Sequence, residues 1–439
     1  MKEKIRVGYI GLGRRGKGIL DHIVSEMADI EIVSICDVQD EKLEAAKELV
    51  VSKGRPAPAL YKDHHEMLKD PTLDAVFVMT GWNGRIGIAI DAMYAGKYAA
   101  IEVGCAFDLN ECYALVEAYE KTGMPVMMLE NCCYGRREMM ALRMVKEGLF
   151  GEIVHCDGGY RHYLPEGEFF PPIQKGSEDA NLYLHEKYTS HYRLAEYANR
   201  NCENYPTHEL GPISKVLNIN RGNRMLTLTS FGGKSRGLPT YIRDHVHADH
   251  PFANTHFNQS DIVTTIITCA GGEQIHLTLD TTLPRAYYSR QFTVRGTKGM
   301  CEECGHYNGK SMGTFFLEGM EIDHVFDNEE EFFAKYDHPL HADYVKQGAR
   351  GGHGGMDWLV VRAFVESVKN GTQTPIDVYD TAAWLAIGPL SEMSLANGST
   401  AVAVPDFTRG RWFHREPPVQ SKYSLDVVVD DPDTPIFPE

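Results

Sequence analysis

Three glycines in the run GLGRRG, at positions 11, 13 and 16, are spaced to hold a phosphate. Gly11 permits a tight turn, Gly13 lets the backbone approach a pyrophosphate, and Gly16 allows close packing of a following helix, whose N-terminus attracts anionic charge. Asp37 stands about twenty residues on, at the end of the next apolar run, where a carboxylate accepts hydrogen bonds from ribose hydroxyls and repels a 2′-phosphate. In that context the glycines predict a nicotinamide dinucleotide site, with NAD favoured over NADP. Arg14 and Arg15 pull the other way, because either guanidinium offsets a 2′-phosphate. Cys301 and Cys304 form a lone CxxC with no second pair at zinc spacing, and their segment reads as a turn between strands.

The elements that must position these residues follow from the apolar pattern. From Ile5 to about Leu129, short runs (IRVGYI, IEIVSICD, DAVFVMT, YAAIE, PVMML) alternate with helical-looking stretches such as EKLEAAKELV and LNECYALVEAYEKTG. This alternation predicts βαβ units and a parallel sheet. The helix from Leu109 to Thr122 stops at Gly123 and Pro125. After Glu130 the texture changes: a helix around Arg137 to Leu149, the strand EIVHCDGGY, and a loop-like stretch from Leu164 to about Asn204. Strand-like runs follow between Met225 and Met300, with DIVTTIITC and QIHLTLDTT joined through Gly271 and Gly272 as a hairpin. Helices are expected at DWLVVRAFVESVKN and from Asp377 to Asn397. The fold class is therefore α/β, an N-terminal Rossmann doubly wound parallel sheet (1–130) followed by an α+β domain with a mostly antiparallel open sheet (131–439).

At 439 residues the chain is long enough for two cores. Its acidic residues outnumber its basic ones 61 to 44, giving a net charge of −17 that disfavours nucleic acid and anionic lipid. No apolar run is long enough to span a bilayer, and the N-terminus runs straight into the first strand without a leader pattern, so the cytoplasm is expected. Ten cysteines without a regular framework suit a reducing compartment.

With an acidic strand end at Glu102, the whole chain resembles the glucose-fructose oxidoreductase, inositol dehydrogenase and MocA (Gfo/Idh/MocA) family. The segments MMLENCCYGRREMM, CDGGYRHYL, NYPTHELGPISKVLNINRGNR, GGHGGMDW, PIDVYDTAAW and VPDFTRGRW resemble, more narrowly, glycoside hydrolase family 109, the NAD-dependent α-N-acetylgalactosaminidases. Two departures from the wider dehydrogenase pattern agree with this. Where those enzymes carry Glu-Lys-Pro this chain has Glu102, Val103 and Gly104, and where they carry Asp-x-x-x-His it has Asn204 and His208. One feature departs from the hydrolases too: their Trp-x-Trp-His run is Trp82, Asn83, Gly84 and Arg85 here, and Arg85 would suit an acidic or differently placed substrate.

The resemblance implies a redox-neutral hydrolysis, in which NAD takes a hydride from C3 of the sugar and later returns it. A ketone at C3 acidifies the C2 proton, so the glycosidic oxygen leaves by elimination, and water then adds at C1. No flanking carboxylate pair is required; a base and an acid are. The resemblance makes His208 the first candidate for proton transfer, a role imidazole side chains commonly fill, with Tyr160 and Tyr287 beside it. Tyr160, Arg193, Tyr205, Thr207, His208 and Tyr287 would bind the sugar. On the cofactor side it implies Gly11, Gly13, Arg14, Arg15, Gly16, Asp37, Trp82, Arg85, Glu102, Val103 and Asn131. It further implies a homo-oligomer paired through exposed sheets. His353 reads as part of a flexible helix entry, with a closing loop as the other reading. The cluster DHVHADHPFANTH, with His245, His247, His250 and His256, reads as a solvated insertion, so no metal is expected. The alternative readings are an NAD-dependent sugar or cyclitol dehydrogenase or epimerase, and a dinucleotide-sensing protein without turnover.

Overall fold

The computed structural model describes residues 2–166, 168–169, 191–245, 252, 254–321, 324, 326–417 and 419–438. The N-terminal part alternates β1 (Ile5–Ile10), α1 (Arg14–His22), β2 (Ile30–Cys36), α2 (Asp40–Ser52), β3 (Ala59–Tyr61), α3 (His64–Leu68), β4 (Ala75–Val78), α4 (Arg85–Tyr94), β5 (Tyr98–Ile101), α5 (Leu109–Thr122) and β6 (Val126–Met128). The six strands form one parallel sheet in the order β3-β2-β1-β4-β5-β6. Its central strands are apolar almost throughout, as parallel strands covered on both faces must be. The strand order reverses between β1 and β4, and a dinucleotide binds in the crevice at such a switch point. Ile10 and Val78 are in register there, so the loops after both strands open side by side.

The remainder comprises α6 (Arg136–Lys146), β7 (Ile153–Arg161), α7 (His191–Asn199), α8 (Thr207–Val216), β8 (Met225–Gly232), α9 (Gly237–His245), β9 (Ile262–Cys269), β10 (Gln274–Asp280), β11 (Thr293–Gly296), β12 (Gly299–Tyr307), β13 (Lys310–Leu317), α10 (Glu329–Tyr336), α11 (Pro339–Lys346), α12 (Met356–Asn370), α13 (Val378–Leu385), α14 (Ile387–Ala396) and β14 (Val402–Ala403). Eight strands make a second sheet in the order β13-β12-β11-β7-β10-β9-β8-β14. Only β7 and β10 run parallel; the other pairs are antiparallel. Burial alternates along β9 and β10, the mark of a sheet with one covered face. On that face α8 packs over β7 and α14 over β8.

Late in the chain α12 returns to the first sheet. Phe364 meets Phe77 edge to face at 5.3 Å, and the fully buried Arg362 holds Asp29 through two bonds of 2.7 and 2.6 Å. Burial alone would push the Asp29 carboxyl up, but Arg362 and Lys369 hold it below its ordinary value.

Several elements differ from the sequence expectations. The stretch expected as loop from Leu164 to Asn204 contains α7, which buries Leu194 and Tyr197 on one face. The helix expected over 377–397 is two, because Pro389 lacks an N–H and its ring crowds the carbonyl of Leu385, where α13 ends. Cys301 and Cys304 lie within β12, not in a turn, and all ten cysteines are free thiols. Of the histidine-rich cluster, His247, Asp249 and His250 lie outside the described residues. Among the described residues no helix is long and apolar enough to cross a membrane.

Candidate active site

The cofactor cradle is built from backbone. Gly11 adopts φ +95°, and a Cβ there would lie 2.8 Å from the Met79 carbonyl carbon and the Thr80 nitrogen at the end of β4. A Cβ on Gly16 would lie 2.3 Å from the Gly11 carbonyl oxygen, so only glycine lets α1 close on the loop. Gly13 caps α1 without a side chain, which leaves the helix entrance open to an anion. Asp37 accepts from the Leu12 N–H at 2.8 Å and from the Gln39 N–H at 3.0 Å. It fixes the glycine loop against the end of β2 and keeps lone pairs for a ribose. These residues fit a dinucleotide.

Arg15 turns inward. It forks onto Asp357 of α12 at 2.8 and 2.7 Å and reaches Glu102 at 3.0 Å. Asn131 donates to Asp357 at 2.7 Å, and His353 lies 2.8 Å from the same carboxylate. Burial would raise the Asp357 carboxyl, yet Arg15 and His353 hold it well below the usual carboxylate range. Arg15 is thereby paired with two carboxylates. Arg14 is largely exposed and pairs with Glu168 at 2.9 Å.

Arg85, which the sequence offered as a contact for an acidic substrate, is 1% exposed and donates to the Val103 carbonyl at 2.7 Å. Burial lowers its pKa. The expectation of a substrate contact fails because the guanidinium lies beneath the strand end. Trp82 covers the same place: a Cβ on Gly104 would lie 2.5 Å from Trp82 Nε1 and 3.0 Å from Arg85 Nη2, at φ +144°. A proline, with φ fixed near −65°, has no place there. The loss of the Lys-Pro pair is thus coupled to the packing of Trp82 and Arg85.

The sugar side is built from side chains. His208 sits at the second position of α8, and its Nδ1 lies 2.9 Å from Glu130 Oε1. Glu130 lies two residues beyond the end of β6, has no exposed surface and also accepts the Cys132 N–H at 3.1 Å. Burial would raise this carboxyl, but His208 and the Cys132 N–H pull it below its ordinary value. An ionised Glu130 keeps the proton on Nδ1 and leaves Nε2 to exchange one. The far end of α8 is anchored by buried Lys215, whose Nζ meets Asp380 at 2.7 Å. Asn204, at the expected aspartate position, instead donates to Gln259 at 3.1 Å. The histidine's carboxylate comes from another strand end.

Aromatic rings surround the imidazole. Tyr160 of β7 and Tyr205 before α8 have centroids 4.3 Å apart, and they meet His208 edge-on at 5.4 and 4.9 Å. The Tyr160 hydroxyl lies 2.9 Å from His162 Nδ1. Burial raises the Tyr160 phenol, and burial next to Arg193 pulls His162 down to about 4. Arg193 of α7 lies over Tyr205 at 4.9 Å and over Trp82 at 5.2 Å, joining sugar side to cofactor side.

The structure does not bring every predicted residue to this point. Thr207 has no exposed surface, so its side chain is closed to a sugar. Tyr287 is exposed and lies beside His306 and Arg285. Its neighbour Tyr288 is the one that meets His162 at 5.1 Å and Tyr160 at 6.0 Å. Ser289 bridges to Arg161 of β7, and Arg290 is tied to Glu138 at 2.7 Å and Glu209 at 3.3 Å. This extended segment turns successive side chains to opposite faces. Glu130, His162, Tyr288 and Asp357 were not singled out from sequence. Only Glu130 carried a signal, an acid at a strand end like Glu102.

The fold and the site define a Rossmann-type dinucleotide enzyme whose histidine and tyrosines gather beside Trp82 of the loop after β4. Residues 5–130 match the oxidoreductase family with an NAD-binding Rossmann fold, and residues 134–414 match the C-terminal domain of glycosyl hydrolase 109. An alpha-N-acetylgalactosaminidase of Tannerella forsythia is 39% identical over 94% of this chain and 88% of its own length. One from Shewanella oneidensis is 36% identical over 94% and 87%. The chain belongs to glycosyl hydrolase family 109 and is a glycosidase with an NAD-binding domain. In fold it is similar to a levoglucosan dehydrogenase solved with NADH (TM-score 0.65, 17% identity, 92% of this chain and 100% of that one). A second neighbour is an NAD binding oxidoreductase from Klebsiella pneumoniae (TM-score 0.68, 16% identity, 92% and 99%).

Proposed function

We propose that this enzyme binds NAD and hydrolyses an N-acetylhexosaminide or a related glycoside by transient oxidation at C3, elimination, water addition and re-reduction. The observation that carries this reading is the Glu130–His208 pair, 2.9 Å apart and walled by Tyr160 and Tyr205. The names of the Tannerella and Shewanella relatives support the sugar class. Asp37 at the ribose position, with Arg15 already paired with two carboxylates, supports NAD over NADP.

When bound, the dinucleotide supplies the hydride acceptor and donor. The chain's own groups move protons. His208, held through Nδ1, takes the proton released at the C3 hydroxyl or at C2 through Nε2. Tyr160 stays protonated because burial raises its phenol, so it can donate toward the departing glycosidic oxygen. Arg193, spread over Tyr205 and Trp82, orients the sugar against the cofactor side.

Incubation with a panel of nitrophenyl glycosides, including the α-N-acetylgalactosaminide, while following nitrophenol and NADH absorbance together, tests the proposal. Nitrophenol release without net NADH, with deuterium entering C2 in heavy water, is expected. Stoichiometric NADH from free sugars with no nitrophenol would replace the hydrolase by a sugar or cyclitol dehydrogenase.

A further inference from the structure

The face of the second sheet opposite α8 carries a cluster that the reaction does not use. His155 and Asp157 alternate along β7 and therefore share that face, and Asp157 is in register with His276 of β10. His155 Nε2 lies 3.0 Å from Asp157 Oδ2, and His276 Nδ1 lies 3.6 Å from Asp157 Oδ1. The two imidazoles meet at right angles with centroids 4.5 Å apart, and one ligand atom from each of the three residues falls within 4.8 Å of the others.

We infer that His155, Asp157 and His276 form a binding site for a divalent transition-metal ion of the zinc type. Two imidazoles and a carboxylate are a zinc donor set. With metal–ligand bonds of about 2.0–2.1 Å, tetrahedral donors stand about 3.3 Å apart. The separations of 3.0 and 3.6 Å, each from an imidazole to one oxygen of Asp157, lie on either side of that spacing, and all three donors fall within 4.8 Å of one another, so side-chain rotation can bring them onto one ion. The residues lie on adjacent strands in the middle of the sheet, a frame that holds a site more precisely than a loop does. Their side chains are 26%, 26% and 36% exposed, which gives an ion a route in and leaves a fourth position to water.

Two other clusters have donors at similar range. Glu130, Cys132 and His208 belong to the active site, and Asp63, His64 and His65 are consecutive residues at the start of α3. Among the described residues, the cluster on β7 and β10 is the one of these three that joins separate strands away from the catalytic face. A metal there would clamp β7, which carries Tyr160 three residues beyond Asp157 on the other side of the sheet.

The test is a titration of the full chain, cleared of metal with a chelator, with Co²⁺ followed by its ligand-field absorption, and then displacement by Zn²⁺. One four-coordinate Co²⁺ per chain is expected. His276→Gln and, separately, Asp157→Asn should each weaken Zn²⁺ binding at least about tenfold, and His65→Gln should leave it unchanged. Retention of full affinity in both the His276 and the Asp157 variants would overturn the site. So would the absence of a bound equivalent, or loss of the cobalt signal only in a His208 variant.

Discussion

The two halves of the active site are made in different ways. On the cofactor side, contact is prepared by backbone within one local stretch, from Gly11 to Gly16, braced by Asp37. On the sugar side, the groups are side chains from β6, β7, α7, α8 and the connection before β11, brought together only by tertiary packing. A backbone cradle needs particular residues at fixed spacing, because a Cβ in the wrong place closes it. A side-chain cluster needs only that each strand or helix end arrive at one point, and many spacings accomplish that.

The same contrast decides what was legible in sequence. The glycines and Asp37 were readable from spacing, and the five apolar runs are five of the six strands of the first sheet. The sixth, β3, is a three-residue edge strand without a buried position, too short to show a period. In the second half the hairpin through Gly271 and Gly272 was plain from alternation, whereas α9 was not, since only Leu238 and Ile242 mark its buried face. His208 was visible through family resemblance, but the source of its carboxylate was not. Glu130 lies 78 positions earlier, and no local pattern joins the two.

The sharpest way to break the comparison is His208→Ala. Loss of the proton-transfer group should lower kcat by roughly 10²–10⁴ while cofactor affinity stays the same. Isothermal titration with NAD beside a glycosidase assay reads both, and a joint fall would mean that the halves are not separable.

Glu130→Gln comes next. The amide keeps the shape but no longer secures the Nδ1 proton, so kcat should fall roughly 10²-fold or more with KM little changed. Because the amide no longer holds a negative charge 2.9 Å from the imidazole, the pH–rate profile should also shift. Glu130→Asp should restore part of the rate. A variant that merely loses stability, with an unshifted profile in its remaining activity, would reduce Glu130 to a packing residue.

On the cofactor side, Asp37→Ala removes the brace of the glycine loop and the repulsion of a 2′-phosphate. NAD should bind about tenfold more weakly, and the preference against NADP should shrink. Parallel fluorescence titrations with the two dinucleotides measure the ratio, which should move while kcat at saturating NAD does not.

The sugar side also stores a cost that the cradle does not. Glu203, 1% exposed and next in sequence to Asn204, is pushed up to about 8 by burial. A carboxyl whose folded pKa exceeds its unfolded value of 4.5 favours the native state most at low pH and loses that contribution as pH rises from 4.5 toward about 8. Glu203→Gln should therefore raise stability at pH 7 by roughly 1–3 kcal/mol and flatten its decline over that window. Urea melts at a series of pH values check this, and an unchanged slope would mean the group finds water in the folded state.

The smallest effect separates two neighbouring hydroxyls. Family resemblance led to Tyr287, yet the bridge between Ser289 and Arg161 and the ties of Arg290 fix the segment so that Tyr288 meets Tyr160 and His162 while Tyr287 lies against His306. If the proposed sugar site is right, removing the Tyr288 hydroxyl leaves the ring packing and takes away one neutral hydrogen bond to the substrate. Such a bond contributes about 0.5–1.5 kcal/mol, so Tyr288→Phe should lower kcat/KM about three- to tenfold. Tyr287→Phe should stay within about twofold, because its ring lies outside the cluster, against His306. The reverse order would mean that the segment rotates by one residue when sugar binds, and that the side-chain half of the site, unlike the cradle, is completed only in the complex.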